Sequence, residues 1–558
     1  MPFPEYPRPQ LIRNNWLNLN GPWEYAINAS AKIPETYDGE ITVPFSPETQ
    51  LSGVNKQLKP GMYLWYRRTI ELPAEYAGTR LLLHFGAVDQ EATVWINDMQ
   101  VVSHVGGYLP FEAEITDAAD SIITIVVRVQ DFTGKSWHTR GKQKTNRGGM
   151  WYTPQSGIWQ TVWLESVPNS YISQVKITPL FDKGSVEVAC ECDTRDENPQ
   201  DKPFAVFNGV PYELPAEIPV ENFIPWTPEN PHLYQIHLVY GEDRIQSYFA
   251  MRKFSVEADA DGKPRLFLNG APYYHNGILD QGYWPDGLYT PPSDDAMVYD
   301  ISVAKASGFN MIRKHIKVEP LRWYYHCDRL GMLVWQDMPC GGSRGISFDT
   351  LRNKAPLITG IHLGDGLYFL EGRSSLESRA EFKQELGNMV RHLYNCPCIA
   401  VWVVFNEGWG QFDAKKMYEY VRSIDSTRTV DHASGWHDRK CGELKSIHVY
   451  FKKYRFRKDG LGRAVVLSEF GGYAHAVQGH LFNNKEYGYK KLETPGDLEF
   501  AISELYSREI KPAIEKGLAA SVYTQLTDVE EEVNGLMTYD RRIIKVPPDT
   551  MRTIVISK

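Results

Sequence analysis

The sequence predicts two β-sandwich domains followed by a (β/α)8 TIM barrel, and three observations carry this reading. Residues 14–167 form short strand-like runs divided by turn residues, among them WYRRTIEL (65–72), RLLLHFGAV (80–88) and SIITIVVRVQ (121–130). Residues 171–256 repeat that texture over a stretch of immunoglobulin-like size. After Asp259, strand-like runs alternate with helical patterns such as DDAMVYDISVAKASG, RAEFKQELGNMVRHLY and AKKMYEYVRSI. The expected domains are 1–168, 169–257 and 258–558.

Bulk properties narrow the function. A chain of 558 residues exceeds the roughly 250–300 at which one core stops growing, so several domains are expected. Net charge is −9 and no basic run could track a phosphate backbone, which argues against nucleic acid. Residues 1–13 hold four prolines and no apolar leader core, and nowhere do 18 apolar residues run together. A soluble, cytoplasmic protein away from membranes is expected, with its seven cysteines reduced. Cys190 and Cys192 alternate within a strand-like run and Cys396 and Cys398 flank Pro397, so neither pair reads as a metal site.

In the barrel the strand-like runs are NGIL, NMIRKH, MLVWQD, IAVWVVFNE, TVDHAS, SIHVY, VVLSEF and SVYTQ. Glu407 closes the fourth and Glu469 the seventh, so both acids are expected at the catalytic, C-terminal mouth, on facing strands. Glycoside hydrolysis needs such a pair, one carboxyl protonated to release the leaving oxygen and one ionised to attack the anomeric carbon. Either acid alone reads equally well as a helix cap or ion-pair partner; two in one barrel, among aromatics, favour chemistry. Arg313, on the second strand, is expected to hold the nucleophile ionised, or else to form a structural ion pair. Tyr450 and His448 share one face of SIHVY and can reach the pocket. Trp284, Trp335, Trp402, Trp409 and Trp436 lie near strand ends, and at most two should touch sugar, with Trp436 the chosen candidate. The long segment from Gly341 to Ser378 is expected to cover the pocket mouth. Its start, Gly341-Gly342-Ser343-Arg344-Gly345, matches a serine-hydrolase elbow, but no helix pattern follows it directly. Neither a Walker loop nor a dinucleotide fingerprint occurs, so no cofactor is expected, and no metal.

At these positions the chain resembles glycoside hydrolase family 2, the family of bacterial β-galactosidases, β-glucuronidases and β-mannosidases. The likeness rests on LNLNGPWEY (17–25), SGIWQTVWLE (156–165), GFNMIRKH (308–315), CDRLGMLVWQDMP (327–339), WVVFNEGWG (402–410), SEFGG (468–472) and NGLMTYDR (534–541). It implies a sugar-binding-type jelly roll, an immunoglobulin-like domain and a catalytic barrel working by double displacement with retention. It implies Glu407 as acid/base, Glu469 as nucleophile, Asn406 on the sugar 2-hydroxyl, and Tyr450 and Arg313 bonded to Glu469. Asp131 is the expected pocket residue from the N-terminal domain. The partner is then a carbohydrate glycoside, and a homo-oligomer is compatible with the family.

Two departures bear on the sugar. Galactosidases of the family carry R-x-S-H-Y-P, where this chain has Arg313, Lys314, His315, Ile316 and Lys317, so His315 is the candidate galactose contact. Glucuronidases hold the uronate with an Asn-x-Lys motif, where this chain has Glu530, Glu531, Glu532, Val533 and Asn534. The expectation is therefore an exo-acting enzyme on a neutral sugar, β-galactoside first, with Lys314 or Lys317 the remaining routes to a uronate. A glucuronidase, mannosidase or arabinosidase is the alternative specificity. A catalytically silent carbohydrate-binding protein is the alternative from another class.

Overall fold

Period-two alternation builds the first domain. In the strand Ile122–Gln130, Ile123, Ile125, Val127 and Val129 all face one way into a fully buried core. The computed structural model of the chain describes residues 1–196, 201–342 and 364–556. One antiparallel sheet orders Trp16–Asn18, Val162–Val167, Arg80–Phe85 and Phe111–Glu114. The facing sheet orders Gly39–Val43, Gly21–Asn28, Tyr63–Glu71, Ile122–Gln130, Glu91–Ile96 and Met99–Val105. A second, smaller sandwich packs Ser170–Leu180, Ser185–Thr194 and Ala216–Pro219 on a four-stranded sheet around Ile177, Val188, Ile236 and Leu238. Buried Arg13 joins the two sandwiches, donating to Glu165 at 3.0 Å and to Asp243 at 2.8–2.9 Å.

The barrel strands are β1 (His275–Asp280), β2 (Met311–Lys314), β3 (Leu333–Asp337), β4 (Ile399–Val403), β5 (Thr429–Asp431), β6 (Leu444–Val449), β7 (Ala464–Gly471) and β8 (Leu518–Thr524). They pair in parallel in the order β5-β4-β3-β2-β1-β8-β7-β6. Nearly every residue in them is buried, which is why they read as apolar runs rather than alternating ones. No backbone ladder joins β5 to β6 among the described residues. Hydroxyls bridge that seam instead: Ser434 bonds Ser446 at 3.3 Å and Ser468 at 3.0 Å, and Ser446 bonds Ser468 at 2.5 Å. Helices follow β1 (Asp294–Ala306, capped by Ser293), β2 (Leu321–Leu330) and β4 (Ala414–Ile424), and Leu376–His392 precedes β4. The connections 432–443 and 450–463 carry no helix, so eight strands are present without eight full βα units. Both segments lack a run of apolar residues at helical spacing.

A long excursion of the first sandwich matters most for function. Residues 131–156, between Gln130 and Gly157, run across the C-terminal mouth of the barrel. His138 bonds Glu381 at 2.6 Å and Thr139 donates to Glu385, both on the helix before β4. Arg140 donates to Gly342 O at 3.2 Å and accepts from Cys340 N at 3.1 Å, beyond β3. Thr153 N and Gly149 N donate to Glu530 and Glu531 at 2.9 Å, and the Tyr152 hydroxyl donates to Glu532, beyond β8. Of the segment expected to cover the mouth, residues 343–363 lie outside the described residues, and with them Ser343, Arg344 and Gly345 of the elbow-like motif.

Under β4 and β5, buried Arg428 donates to Asp425 at 2.9 Å and to Ile399, Tyr394 and Cys396 carbonyls at 2.7–2.8 Å. Removing it strands a fully buried carboxylate. Arg428→Met is expected to destabilise the barrel by about 3–5 kcal/mol, checked by urea unfolding. An unchanged unfolding midpoint would contradict this.

Candidate active site

Five strands, β2, β3, β4, β6 and β7, deliver side chains to one point. Arg313, at the end of β2 and fully buried, forks onto Asp337 of β3, with both contacts at 3.0 Å. Its remaining donors reach Glu469 Oε1 at 3.0 Å, Ser468 O at 3.0 Å and Asn406 Oδ1 at 2.9 Å. Glu469 sits in β7 where a register shift past Ser468 brings it opposite His448 of β6. Its Oε2 accepts from the Tyr450 hydroxyl at 2.5 Å, which also lies 3.0 Å from Thr524 Oγ1 on β8. Tyr489 stacks on Tyr450 with ring centroids 4.0 Å apart, fixing the phenol from behind.

Glu407 follows β4 in a turn rather than in the strand. Its φ of 51° is left-handed, uncommon for a residue with a side chain. The turn is held by Glu407 N donating to Ser434 O and Trp409 N donating to Asn406 O, both at 2.9 Å. His448 lies between the acids, Nδ1 at 2.9 Å from Glu407 Oε1 and Nε2 at 3.6 Å from Glu469 Oε1. Gly435 (φ 85°) lets the loop after β5 lie against that imidazole, since a Cβ there would come within 2.5 Å of His448 Cγ. The nearest carboxylate oxygens of Glu407 and Glu469 are within 4.8 Å of one another.

The two glutamates are buried to a similar degree, 6% and 5% exposed, yet are pushed in opposite directions. Burial raises Glu407, and the charge of Glu469 adds to that against the hydrogen bond from His448. Burial also works to raise Glu469, but the fields of His448, Arg313, His315 and Lys142 outweigh it and hold the carboxyl below its ordinary range. The two carboxyls are thus pushed apart, Glu407 towards its protonated form and Glu469 towards its ionised form, the direction that acid-assisted nucleophilic displacement requires. Glu407, His448 and Glu469 also have the donor types of a metal site. Arg313 already supplies the positive charge that a cation would bring there.

The structure brings together Glu407, Glu469, Asn406, Arg313, Tyr450 and His448 as one hydrogen-bonded cluster. His315 joins its edge, with Nδ1 2.9 Å from Asp337 Oδ2. Trp436 is buried in the loop after β5, two residues beyond Ser434. Trp335 and Trp402 are core residues, their indole N–H groups bonded to His275 and Asp425. Asp131 is not brought to the cluster: its carboxylate turns back to Thr133 and Ser156 at the root of the 131–156 segment. The residue of that segment that nears the acids is Lys142, 5.8 Å from the Trp409 ring centroid. Nothing in the sequence pattern marks it, because its place depends on how the segment crosses the mouth. Asp337 was also missed, although it closes the apolar run MLVWQD as the two glutamates close theirs.

Three acids and two lysines take positions other than those the sequence suggested. Glu530, Glu531 and Glu532 are occupied in holding residues 149–153. Lys314 is buried between Asp280 and Glu319, and Lys317 donates to Glu319 and the Gly282 and Tyr289 carbonyls. Both lysines are consumed by structural partners.

Comparison with known proteins agrees with this architecture. A β-galactosidase of Thermoanaerobacter pseudethanolicus is 22% identical over 471 residues, covering 78% of this chain and 57% of its own. A β-glucuronidase of Paenibacillus borealis is 24% identical over 403 residues, 66% of this chain and 62% of its own. The chain therefore spans about three fifths of the length of these curated relatives. Among solved structures, a β-galacturonidase from Eisenbergiella tayi bound to galacturonate superposes with a TM-score of 0.74 at 18% identity, covering 100% of this chain and 99% of that one. A β-glucuronidase from an uncultured Clostridium gives 0.75 at 18%, covering 97% and 98%. These are likenesses of fold. The model of the family's sugar binding domain matches residues 16–168 and that of its TIM barrel domain residues 267–515. Matched in both its first sandwich and its barrel, the chain belongs to glycoside hydrolase family 2.

Proposed function

We propose that the protein is a retaining, exo-acting glycoside hydrolase, with Glu469 as nucleophile and Glu407 as acid/base. The observation that carries this is the pair itself, two glutamates that bring one carboxylate oxygen each to within 4.8 Å, in unequal electrostatic surroundings. Retaining enzymes hold their carboxyls about 5–5.5 Å apart, whereas inverting ones leave about 6.5–9.5 Å for a water. In the proposed first step Glu469 attacks the anomeric carbon while Glu407 gives its proton to the leaving oxygen. Glu407 then takes a proton from the water that releases the sugar from Glu469.

The supporting residues have distinct tasks in this reading. Arg313 and Tyr450 keep Glu469 ionised and aimed, and Asp337 holds Arg313 in place. Asn406 has its carbonyl committed to Arg313, and its buried Nδ2 has no acceptor among the described residues. That leaves the amide as a donor for the sugar 2-hydroxyl. His448 and His315 line the same site, and Trp436 is the proposed aromatic wall. The substrate is a carbohydrate glycoside, of the galactoside or uronide kind named for the relatives above. No helix is long and apolar enough to cross a membrane among the described residues, and all seven thiols are free. A cytoplasmic place suits those thiols. The sandwiches 1–168 and 169–257 serve as supports for the barrel 258–558.

Glu469→Gln should lower kcat by about 10⁴-fold or more on every substrate, since no neighbouring acid can replace an in-line nucleophile. Near-normal turnover by the pure variant would contradict the assignment. Glu407→Ala should cost about 10²–10⁴-fold on substrates with poor leaving groups and much less on activated phenols. A loss independent of leaving-group pKa would remove Glu407 as the acid. The pH profile of kcat/KM should be bell-shaped. Activity falls on the acid side as Glu469 gains a proton, below the ordinary glutamate value of about 4.3, and on the alkaline side as Glu407 loses one, above it. A profile whose two limbs both lie on one side of that value would contradict the division of roles.

A further inference from the structure

Lys142 belongs to the 131–156 segment and is only 8% exposed. Its main chain is committed, the carbonyl accepting from Tyr152 N at 2.8 Å. Its ammonium lies 5.8 Å from the centroid of the Trp409 ring, and no oxygen of the described residues accepts a hydrogen bond from it. The cations on and after β2 are spoken for: Arg313 by Asp337 and Glu469, Lys314 by Asp280 and Glu319, Lys317 by Glu319. The charge of Lys142 faces the acids with no hydrogen-bond acceptor of its own among the described residues, so its donors are open to an incoming anion.

The position is built rather than accidental. Gly141 precedes Lys142 against the Tyr289 hydroxyl and the Ile316 carbonyl, where a side chain would collide, so the backbone lies close on the loop after β2. Gly141 N also donates to the Tyr108 hydroxyl at 2.7 Å. On the far side, Met150 and Trp151 pack with Ile316 and Trp409, the tryptophan rings 5.8 Å apart. Lys142 is thus fixed between the loops after β2 and β4, close enough to the acids for its charge to help hold Glu469 ionised.

Resting on the hydrolase reading above, we propose that Lys142 is the receptor for a carboxylate on the terminal sugar, so that the enzyme prefers β-uronides to the matching neutral glycosides. The cation comes from the N-terminal sandwich, not from the barrel segment after β8, where Glu530 to Glu532 anchor the segment that carries it. This reverses the neutral-sugar expectation drawn from the missing Asn-x-Lys motif.

The test compares kcat/KM for nitrophenyl β-D-glucuronide and β-D-galacturonide with that for the β-D-glucoside and β-D-galactoside, in the wild type, Lys142→Met and Lys142→Arg. The wild type should favour one uronide over its neutral counterpart at least tenfold. Lys142→Met should collapse that ratio tenfold or more, chiefly through KM, and Lys142→Arg, which keeps the charge, should keep most of it. Inhibition by free glucuronate and galacturonate should weaken in parallel in Lys142→Met. A wild type that cleaves the galactoside or glucoside as well as the uronides would overturn the proposal. So would equal losses on charged and neutral substrates in Lys142→Met, the signature of a cation acting only through Glu469. If no glycoside of either kind is cleaved by the wild type, the hydrolase reading itself fails and takes this inference with it.

Discussion

The guanidinium of Arg313 is the contact on which the active site depends. It is fully buried and spends its donors on three other strands at once: Asp337 of β3, Asn406 after β4, and Ser468 and Glu469 of β7, from its own place on β2. A charge so buried is tolerated only when paired and hydrogen-bonded on every side. The strands are therefore held in the one register that satisfies it, and that register sets the distance between Glu469 and Glu407. Fixing the acids on rigid strand ends, with Arg313 behind them, gives the preorganised electrostatics on which such catalysis relies. The hydroxyls of Ser434, Ser446 and Ser468 close the seam between β5 and β6, where the backbone ladder is missing, and so hold His448 against both acids.

The first sandwich completes the site. Its 131–156 segment is anchored to the helix before β4, to the turn after β3 and to the loop after β8, and these anchors are largely charged or bonded through the main chain. Such an attachment is directional, so the segment is held in one path over the mouth. In the proposed reading the barrel supplies the reacting groups and the sandwich supplies a wall and a charge.

Much of this was legible in the sequence, for a physical reason. Strands buried on both faces must be apolar throughout, so a glutamate ending such a run, as Glu407 and Glu469 do, stands out at once. Arg313 is visible by the same logic on β2, and Asp337 carries the same signal at the end of β3. Lys142 was not legible, because a lysine in a polar stretch acquires its role only when the chain folds across another domain. Asp131 was the wrong choice from the right segment: it ends a strand, but its carboxylate is used by Thr133 and Ser156. Glu530, Glu531 and Glu532 mark in the sequence only the absence of an Asn-x-Lys motif and in the fold are anchors, since acids are read in sequence without their donors. Helices after β5 and β6 were expected from the repeat alone, and the local sequences do not support them.

The central claim is that Glu469 forms a covalent bond to the anomeric carbon. A 2-deoxy-2-fluoro-β-glycosyl fluoride of the sugar cleaved fastest slows both steps but leaves with ease, so the glycosyl-enzyme should accumulate. Peptide mass spectrometry of the inactivated protein should place the label on Glu469, at one sugar per chain. A label on any other residue, or turnover of the fluoride with no adduct and an inverted product, would contradict the account.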